Sequence, residues 1–372
     1  MSSIRKSFGG KSTYQPLKNF DVESISDKNV ILLVVDGLGY EYVKKYGKDS
    51  FLHKNLKGEM TSVLPATTAS AMTSFATGVA PQQHGLTGWF MYLKEIGSVS
   101  IILPFSTRVG DFSLAKKVKY EDIYNQKSFF DGLKADSSSL RHKKYSDSAY
   151  SLLVSRGARR LAFSSLSDFF RQIESAIKKG KGRKFMLAYW AKFDSICHRK
   201  GTDSEEALKH FIQLDKKISK LAKSVRDNNT VIIVTADHGL INTREENKII
   251  KLENHPELAE TLSMPLSGEP RFVYCYVKPQ KVKQFENYVK TKLKDVCDLH
   301  KSAELIQKNY FGLYEPNEKL KDRVGDYTLI MKDNFIMKDR VFGEDQNIFI
   351  GNHGGVSREE MLVPLIIINS QS

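Results

Sequence analysis

Three apolar runs that each close on an aspartate constrain this chain more than any other feature. They are Asn29 to Gly39 (NVILLVVDGLG), Lys184 to Gly201 (KFMLAYWAKFDSICHRKG) and Val231 to Gly239 (VIIVTADHG). Continuous β-branched and leucine residues, without polar alternation, describe strands covered on both faces. Helical patterns lie between them. Leu161 to Ile177 reads as a short strand leading into an amphipathic helix. Thr202 to Arg226 reads as a longer helix, with Asp203 and Glu206 as a capping box. Its apolar stripe is Leu208, Phe211, Ile212, Ile218, Leu221 and Val225. Strands alternating with helices predict an α/β fold, a largely parallel central sheet with helices on both faces. Leu362 to Ile368 supplies a closing strand.

In open α/β sheets ligands bind beyond the carboxyl ends of the strands. Asp36, Asp194 and Asp237 stand there. His198 follows Asp194 by four residues, so a helical turn would put both on one face. His238 directly follows Asp237, and His353 sits in a glycine-rich turn, Gly351-Asn352-His353-Gly354-Gly355. Each motif alone has an ordinary structural explanation: Asp-Gly is a common turn, and Asp-x-x-x-His is a common ion pair. Together they are hard to assign to chance.

Thr61 to Gly88 adds a hydroxyl. An extended entry (Val63, Leu64, Pro65) leads to Thr67 and Thr68. Small, helix-compatible residues follow (Ala69, Ala71, Met72, Phe75, Ala76), and Gly78 is a plausible stop. A helix N-terminus bearing a hydroxyl suits a phosphate, because free N–H groups and the helix dipole converge there.

Composition narrows the field. With 372 residues and 41% apolar content, the chain can bury one large core. Residues 1–28 read as an N-terminal extension. Met1 to Lys18 contains no apolar signal region, and no apolar run approaches the ~20 residues of a membrane span, so the expected compartment is the cytoplasm. Three cysteines (Cys197, Cys275, Cys297) without CxxC spacing argue against disulfides or a thiolate zinc site. The net charge of +14 admits nucleic acid, a membrane surface or phosphorylated small molecules. The lysines are scattered, without the arginine–aromatic interleaving of a nucleic-acid groove, so nucleic acid is disfavoured.

Asp36, Thr68, Asp194, His198, Asp237, His238 and His353 form an oxygen and nitrogen donor set, too large for one zinc and suited to a pair. Paired metals stabilise both attacking and leaving oxygens in phosphoryl transfer. The ordered motifs Val-Val-Asp-Gly, Leu-Pro-Ala-Thr-Thr with Ala-Thr-Gly-Val-Ala-Pro-Gln-Gln-His-Gly, Phe-Asp-Ser-Ile-Cys-His, Thr-Ala-Asp-His-Gly and Gly-Asn-His-Gly-Gly span most of the chain. In this the chain resembles the alkaline phosphatase superfamily, and within it the type I phosphodiesterase/nucleotide pyrophosphatase family.

The resemblance implies a catalytic domain over residues 29–372. Two stretches, 89–150 and 241–350, are expected as cap or lid insertions, the first with a mobile loop at Lys134 to Ser148. It implies hydrolysis of phosphate diesters or pyrophosphates through a phosphothreonine on Thr68. One metal would be held by Asp36, Thr68, Asp237 and His238, the other by Asp194, His198 and His353, both zinc. The expected partner is a small phosphorylated substrate, with nucleotides among the candidates. His84, in Gln-Gln-His-Gly, is read as structural.

Two positions depart from the family pattern. Ala69 stands where nucleotide-hydrolysing members carry an aromatic residue after the nucleophile, and Trp89 stands where they carry an asparagine that supports the phosphoryl oxygen. Trp89 and Lys192 are the candidate substrate-binding residues; Arg199 also flanks the Asp194/His198 motif. The alternatives are a phosphomonoesterase or phosphonate hydrolase using the same site, and, from another class, a basic nucleic-acid-binding protein with structural metals.

Overall fold

A computed structural model describes residues 1–18, 20–344 and 348–369. Among these residues the central sheet has seven strands: β1 (Asn29–Val35), β2 (Leu56–Thr61), β3 (Asp136–His142), β4 (Arg159–Phe163), β5 (Lys184–Trp190), β6 (Thr230–Thr235) and β7 (Leu362–Asn369). Their order is β2-β7-β6-β1-β5-β3-β4. The run β6-β1-β5-β3-β4 is parallel throughout, whereas β7 is antiparallel to both β6 and β2.

The apolar run of β1 explains the layering. Successive side chains point to opposite faces, and all six residues from Val30 to Val35 are at most 3% exposed. Ile31, Leu33 and Val35 join one core with Phe169, Ile173, Phe211 and Leu214. These last belong to two helices, Leu166–Lys178 and Glu205–Ser224. Val30, Leu32 and Val34 join the opposite core with Ile4, Phe8, Ile25, Met72 and Phe129. Each fully buried side chain of this size contributes about 1.5–3 kcal/mol. Helices do cover both faces, as the sequence requires.

The two stretches read as separate insertions build a second sheet together. It is antiparallel, with seven strands among the described residues. Phe90–Leu93, Ser98–Ile101 and Ser106–Thr107 come from the first stretch. Ser267–Glu269, Phe272–Cys275, Cys297–Lys301 and Tyr327–Met331 come from the second. They join where Gly268 pairs with Phe90. The approach needs glycine: a Cβ on Gly88 would lie 2.9 Å from the Gly268 backbone.

Three local expectations are corrected. Lys134 to Ser148 is not a loop, because residues 136–142 form β3 of the central sheet. Its serines concealed it: Ser137, Ser138 and Ser139 are buried, and Ser139 accepts a hydrogen bond from the Ser155 hydroxyl at 3.2 Å. The first 28 residues pack into the core through Ile4, Phe8 and Ile25. Arg183 fastens them, lying 3.6 Å above the Phe8 ring and donating to the carbonyls of Ser7, Ile25 and Lys28. The long helix is capped by Ser204, which accepts from Ala207 N at 3.2 Å, while Asp203 pairs with Arg244. Its buried face is Ala207, His210, Phe211, Leu214, Ile218 and Leu221; Leu208 is half-buried and Ile212 is 41% exposed. Among the described residues no helix is long and apolar enough to cross a membrane.

Candidate active site

The three strands that end in acids are neighbours. β1 lies between β6 and β5, with Val35 level with Trp190 and Val34 level with Thr235. Asp36 leaves β1 at the same edge where Asp237 and His238 follow β6. After β5 the chain turns into a helix, α1 (Lys192–Lys200), that puts Asp194 in its first turn and His198 one turn on. His353 arrives from the far end of the chain, in a turn that Ala66 bridges through Gly354.

Thr67 and Thr68 separate into different roles. Thr67 is the extended N-cap residue (φ −140°, ψ 152°) of the helix Thr68–Thr77, which ends at left-handed Gly78. Its hydroxyl makes no cap bond and donates instead to Glu269 Oε1 at 2.5 Å. Thr68 Oγ1 lies 3.1 Å from His238 Nε2.

The seven ligand candidates converge. His238 Nε2 is 3.3 Å from Asp36 Oδ1 and 3.7 Å from Asp237 Oδ2, and His198 Nε2 is 3.2 Å from Asp194 Oδ2. The His238 and His353 rings stack with centroids 3.8 Å apart, and His198 lies 5.2 Å from His353. Two donor groups have all their atoms within 4.8 Å of one another: Asp36 with Asp237 and His238, and Asp194 with His238 and His353. His198 stands at the edge of the second group.

Each imidazole is held from behind. His198 Nδ1 is 2.6 Å from Gly351 O, His238 Nδ1 is 3.0 Å from Gly239 O, and His353 Nδ1 is 3.2 Å from Ala66 O. A carbonyl can only accept, so each Nδ1 carries the proton and each Nε2 keeps its lone pair for the site. The carboxylates tell the same story. Asp237 Oδ1 accepts from the amides of Gly37 and His238, at 3.1 and 3.0 Å, and the Tyr189 hydroxyl donates to Asp36 Oδ2. Among the described residues the opposite oxygens, Asp36 Oδ1 and Asp237 Oδ2, are buried without a hydrogen-bond partner, and so is Asp194 Oδ1.

The electrostatics follow from this crowding of buried acids and imidazoles. Burial, then the nearby Asp237 and Asp194, raise the Asp36 carboxyl well above its ordinary range. Burial acts the same way on Asp194, but His198, His353 and His238 outweigh it and hold that carboxyl low. Burial lowers His353 well below a normal histidine, and His238 and His198 lower it further. Orphaned, buried carboxylate oxygens cost stability unless a cation meets them. Tautomer-fixed imidazoles and free carboxylate oxygens are the donors that a divalent metal takes, so the residues present fit one.

A scan against family models matches residues 30–355 to the type I phosphodiesterase/nucleotide pyrophosphatase family. The chain belongs to that family. It is therefore a hydrolase of the phosphodiesterase/nucleotide pyrophosphatase type, within the alkaline phosphatase superfamily. Solved structures show the same fold. Murine ectonucleotide pyrophosphatase/phosphodiesterase 5 is 17% identical, with a TM-score of 0.68 over 91% of this chain and 87% of that one. Phosphonoacetate hydrolase from Sinorhizobium meliloti, solved with phosphonoacetate, is 16% identical, with a TM-score of 0.69 over 92% and 90%. No curated protein sequence matches the chain.

The remaining candidates stand outside the seven-residue donor set. Trp89 is half-buried, and its backbone amide donates to Glu269 Oε1 at 2.7 Å. Lys192 is exposed as the first residue of α1, where its charge bears on His210; Arg199 is exposed as well. His84 is fully buried. Sequence reasoning missed Glu269, which is 7% exposed and which burial pushes up to about 7 despite its two hydrogen bonds. It follows no apolar run and precedes a proline, so nothing marks it as more than a turn residue.

Proposed function

We propose that the protein is a two-metal hydrolase of phosphate diesters or pyrophosphates that works through a phosphothreonine on Thr68. The observation that carries this reading is the position of Thr68 Oγ1, 3.1 Å from His238 Nε2 and beside both donor groups. Asp36, Thr68, Asp237 and His238 would hold one ion, and Asp194, His198 and His353 the other. Nitrogen and oxygen donors without thiolate suit zinc. When bound, such ions supply Lewis acidity at the attacking and leaving oxygens.

The chain's own residues then have distinct tasks. Thr68 Oγ1 forms a bond to phosphorus as the bond to the leaving oxygen breaks; water later cleaves the threonyl ester and releases the phosphorylated product. The first-turn amides of the nucleophile helix, which no helix carbonyl reaches, face the anionic phosphoryl group. The carbonyls of Gly351, Gly239 and Ala66 keep the three imidazoles in one tautomer throughout. The substrate class is a small phosphorylated molecule. In support, the murine relative has been solved as an inactive threonine-to-alanine form in complex with AMP.

A second reading keeps the site and changes the substrate to monoesters or phosphonates. It is favoured by the likeness to phosphonoacetate hydrolase and by Ala69 and Trp89, where nucleotide-hydrolysing members differ. One experiment addresses both. Hydrolysis of bis-p-nitrophenyl phosphate and of p-nitrophenyl phosphate is measured for wild type and Thr68→Ala, after chelation and after zinc is restored. The expected outcome is diester turnover that falls at least about a thousandfold without Thr68 or metal. Turnover indifferent to both would overturn the mechanism, and monoester preference would establish the second reading.

A further inference from the structure

One acid near the nucleophile has no part in this scheme. Glu269 ends a three-residue strand of the second sheet, which delivers it to the turn before Thr68. Its place is cut to fit: a Cβ on Gly354 would lie 2.6 Å from Glu269 Cβ. Oε1 accepts both of its hydrogen bonds, from the Thr67 hydroxyl and the Trp89 amide. Oε2 has no hydrogen-bond partner among the described residues. Both partners are neutral donors, so an uncharged acceptor such as glutamine would serve them equally well. Nor does a lysine or arginine among the described residues pair with it. Arg271, two residues on, is committed to Glu360, at 2.7 and 2.8 Å. Of the groups able to carry positive charge, His238 and His198 are the ones whose charge acts on Glu269.

An acid that its hydrogen bonds do not require therefore stands beside a turn built for an anion. Resting on the phosphoester-hydrolase reading, we infer that Glu269 sets the charge of the substrate: its carboxylate selects phosphate groups with one negative charge over those with two. A diester presents an esterified oxygen where a monoester presents a second anionic one. Like charge on Glu269 penalises the dianionic monoester more than the monoanionic diester. Glu269 is in this sense a specificity-determining residue contributed by the second sheet.

The test compares wild type, Glu269→Gln and Glu269→Asp at pH 8.5, where the monoester is a dianion and the diester a monoanion. Two ratios are read: kcat/KM for p-nitrophenyl phosphate over bis-p-nitrophenyl phosphate, and the calorimetric affinity for inorganic phosphate over dimethyl phosphate. Glu269→Gln keeps the acceptor and removes the charge, and should raise both ratios by on the order of tenfold. Glu269→Asp keeps the charge and should hold both ratios within about threefold of wild type. Unchanged ratios in the glutamine variant would overturn the inference, as would an equal rise in the aspartate variant. The binding ratio needs no turnover. If wild type hydrolyses neither ester, the hydrolase reading fails while the charge selection is still decided by affinity.

Discussion

His84 provides a stability test independent of any substrate. It is fully buried, its Nδ1 accepts from Leu86 N at 3.1 Å, and its Nε2 lies 3.1 Å from Ser74 Oγ. An Nδ1 that accepts cannot carry a proton, so the ring is held neutral. Burial, the largest cause, pushes its pKa from 6.5 down to about 3. The unfolded chain takes up a proton at this residue below pH 6.5, and the folded chain refuses it until about pH 3. Stability is therefore fully present above pH 6.5 and is lost as pH falls towards about 3. The loss accrues at about 1.4 kcal/mol per pH unit, giving about 2 kcal/mol at pH 5. Because pH 5 lies well above the folded-state value, this figure depends on the unfolded histidine alone. The assay is urea unfolding at pH 7.5 and 5.0, with metal chelated, for wild type and His84→Gln. Other groups contribute to both proteins and cancel in the difference. Wild type should lose about 2 kcal/mol more than the variant on acidification. Equal losses would show that His84 is protonated in the folded state and would refute the argument.

Other expectations follow from packing and from the ligand scaffold. Glu360→Ala leaves Arg271, which is 1% exposed, without its carboxylate and the Gly355 amide without its acceptor; denaturant titration should show a loss of about 3–5 kcal/mol. Phe211→Ala should cost about 3–5 kcal/mol in the same assay, while Ile212→Ala, four-tenths exposed one residue along, should change stability by about 0.5 kcal/mol or less. Gly351→Ala places a Cβ 2.5 Å from Cys197 O and displaces the carbonyl that holds His198. Zinc affinity, measured by competition with a chromophoric chelator, should fall about 10–100-fold.

How much of this was visible in the sequence depended on where each residue's signal came from. Asp36, Asp194 and Asp237 were legible because a doubly covered strand writes its burial as an unbroken apolar run, and the acid marks where the run leaves the sheet. His198 and His238 came with them, tied by spacing to those acids. β3 was illegible because the buried Ser137, Ser138 and Ser139 meet polar partners, the Ala135 carbonyl, Arg159 and the Ser155 hydroxyl, so neither period nor composition announced it. The N-terminal segment looked like an extension because its anchor, Arg183, lies more than 150 residues away and bonds mainly to backbone carbonyls. Glu269 escaped for a related reason. Its position depends on two distant segments meeting at Gly268 and Phe90, and a pairing across such a separation leaves no local pattern.

The place of β7 has a consequence for how the protein comes into being. Both of its neighbours, β2 and β6, are made earlier, yet the gap between them is filled only by residues 362–369. During synthesis β6 keeps an unpaired edge, and such an edge can recruit strands from other chains. His353, nine residues upstream of β7, is also made late. Until residues 353–369 fold, the chain therefore has an open sheet edge and lacks one of the imidazoles that gather at the acids. Docking of β7 closes that edge, and the segment just before it brings the last imidazole to the acids.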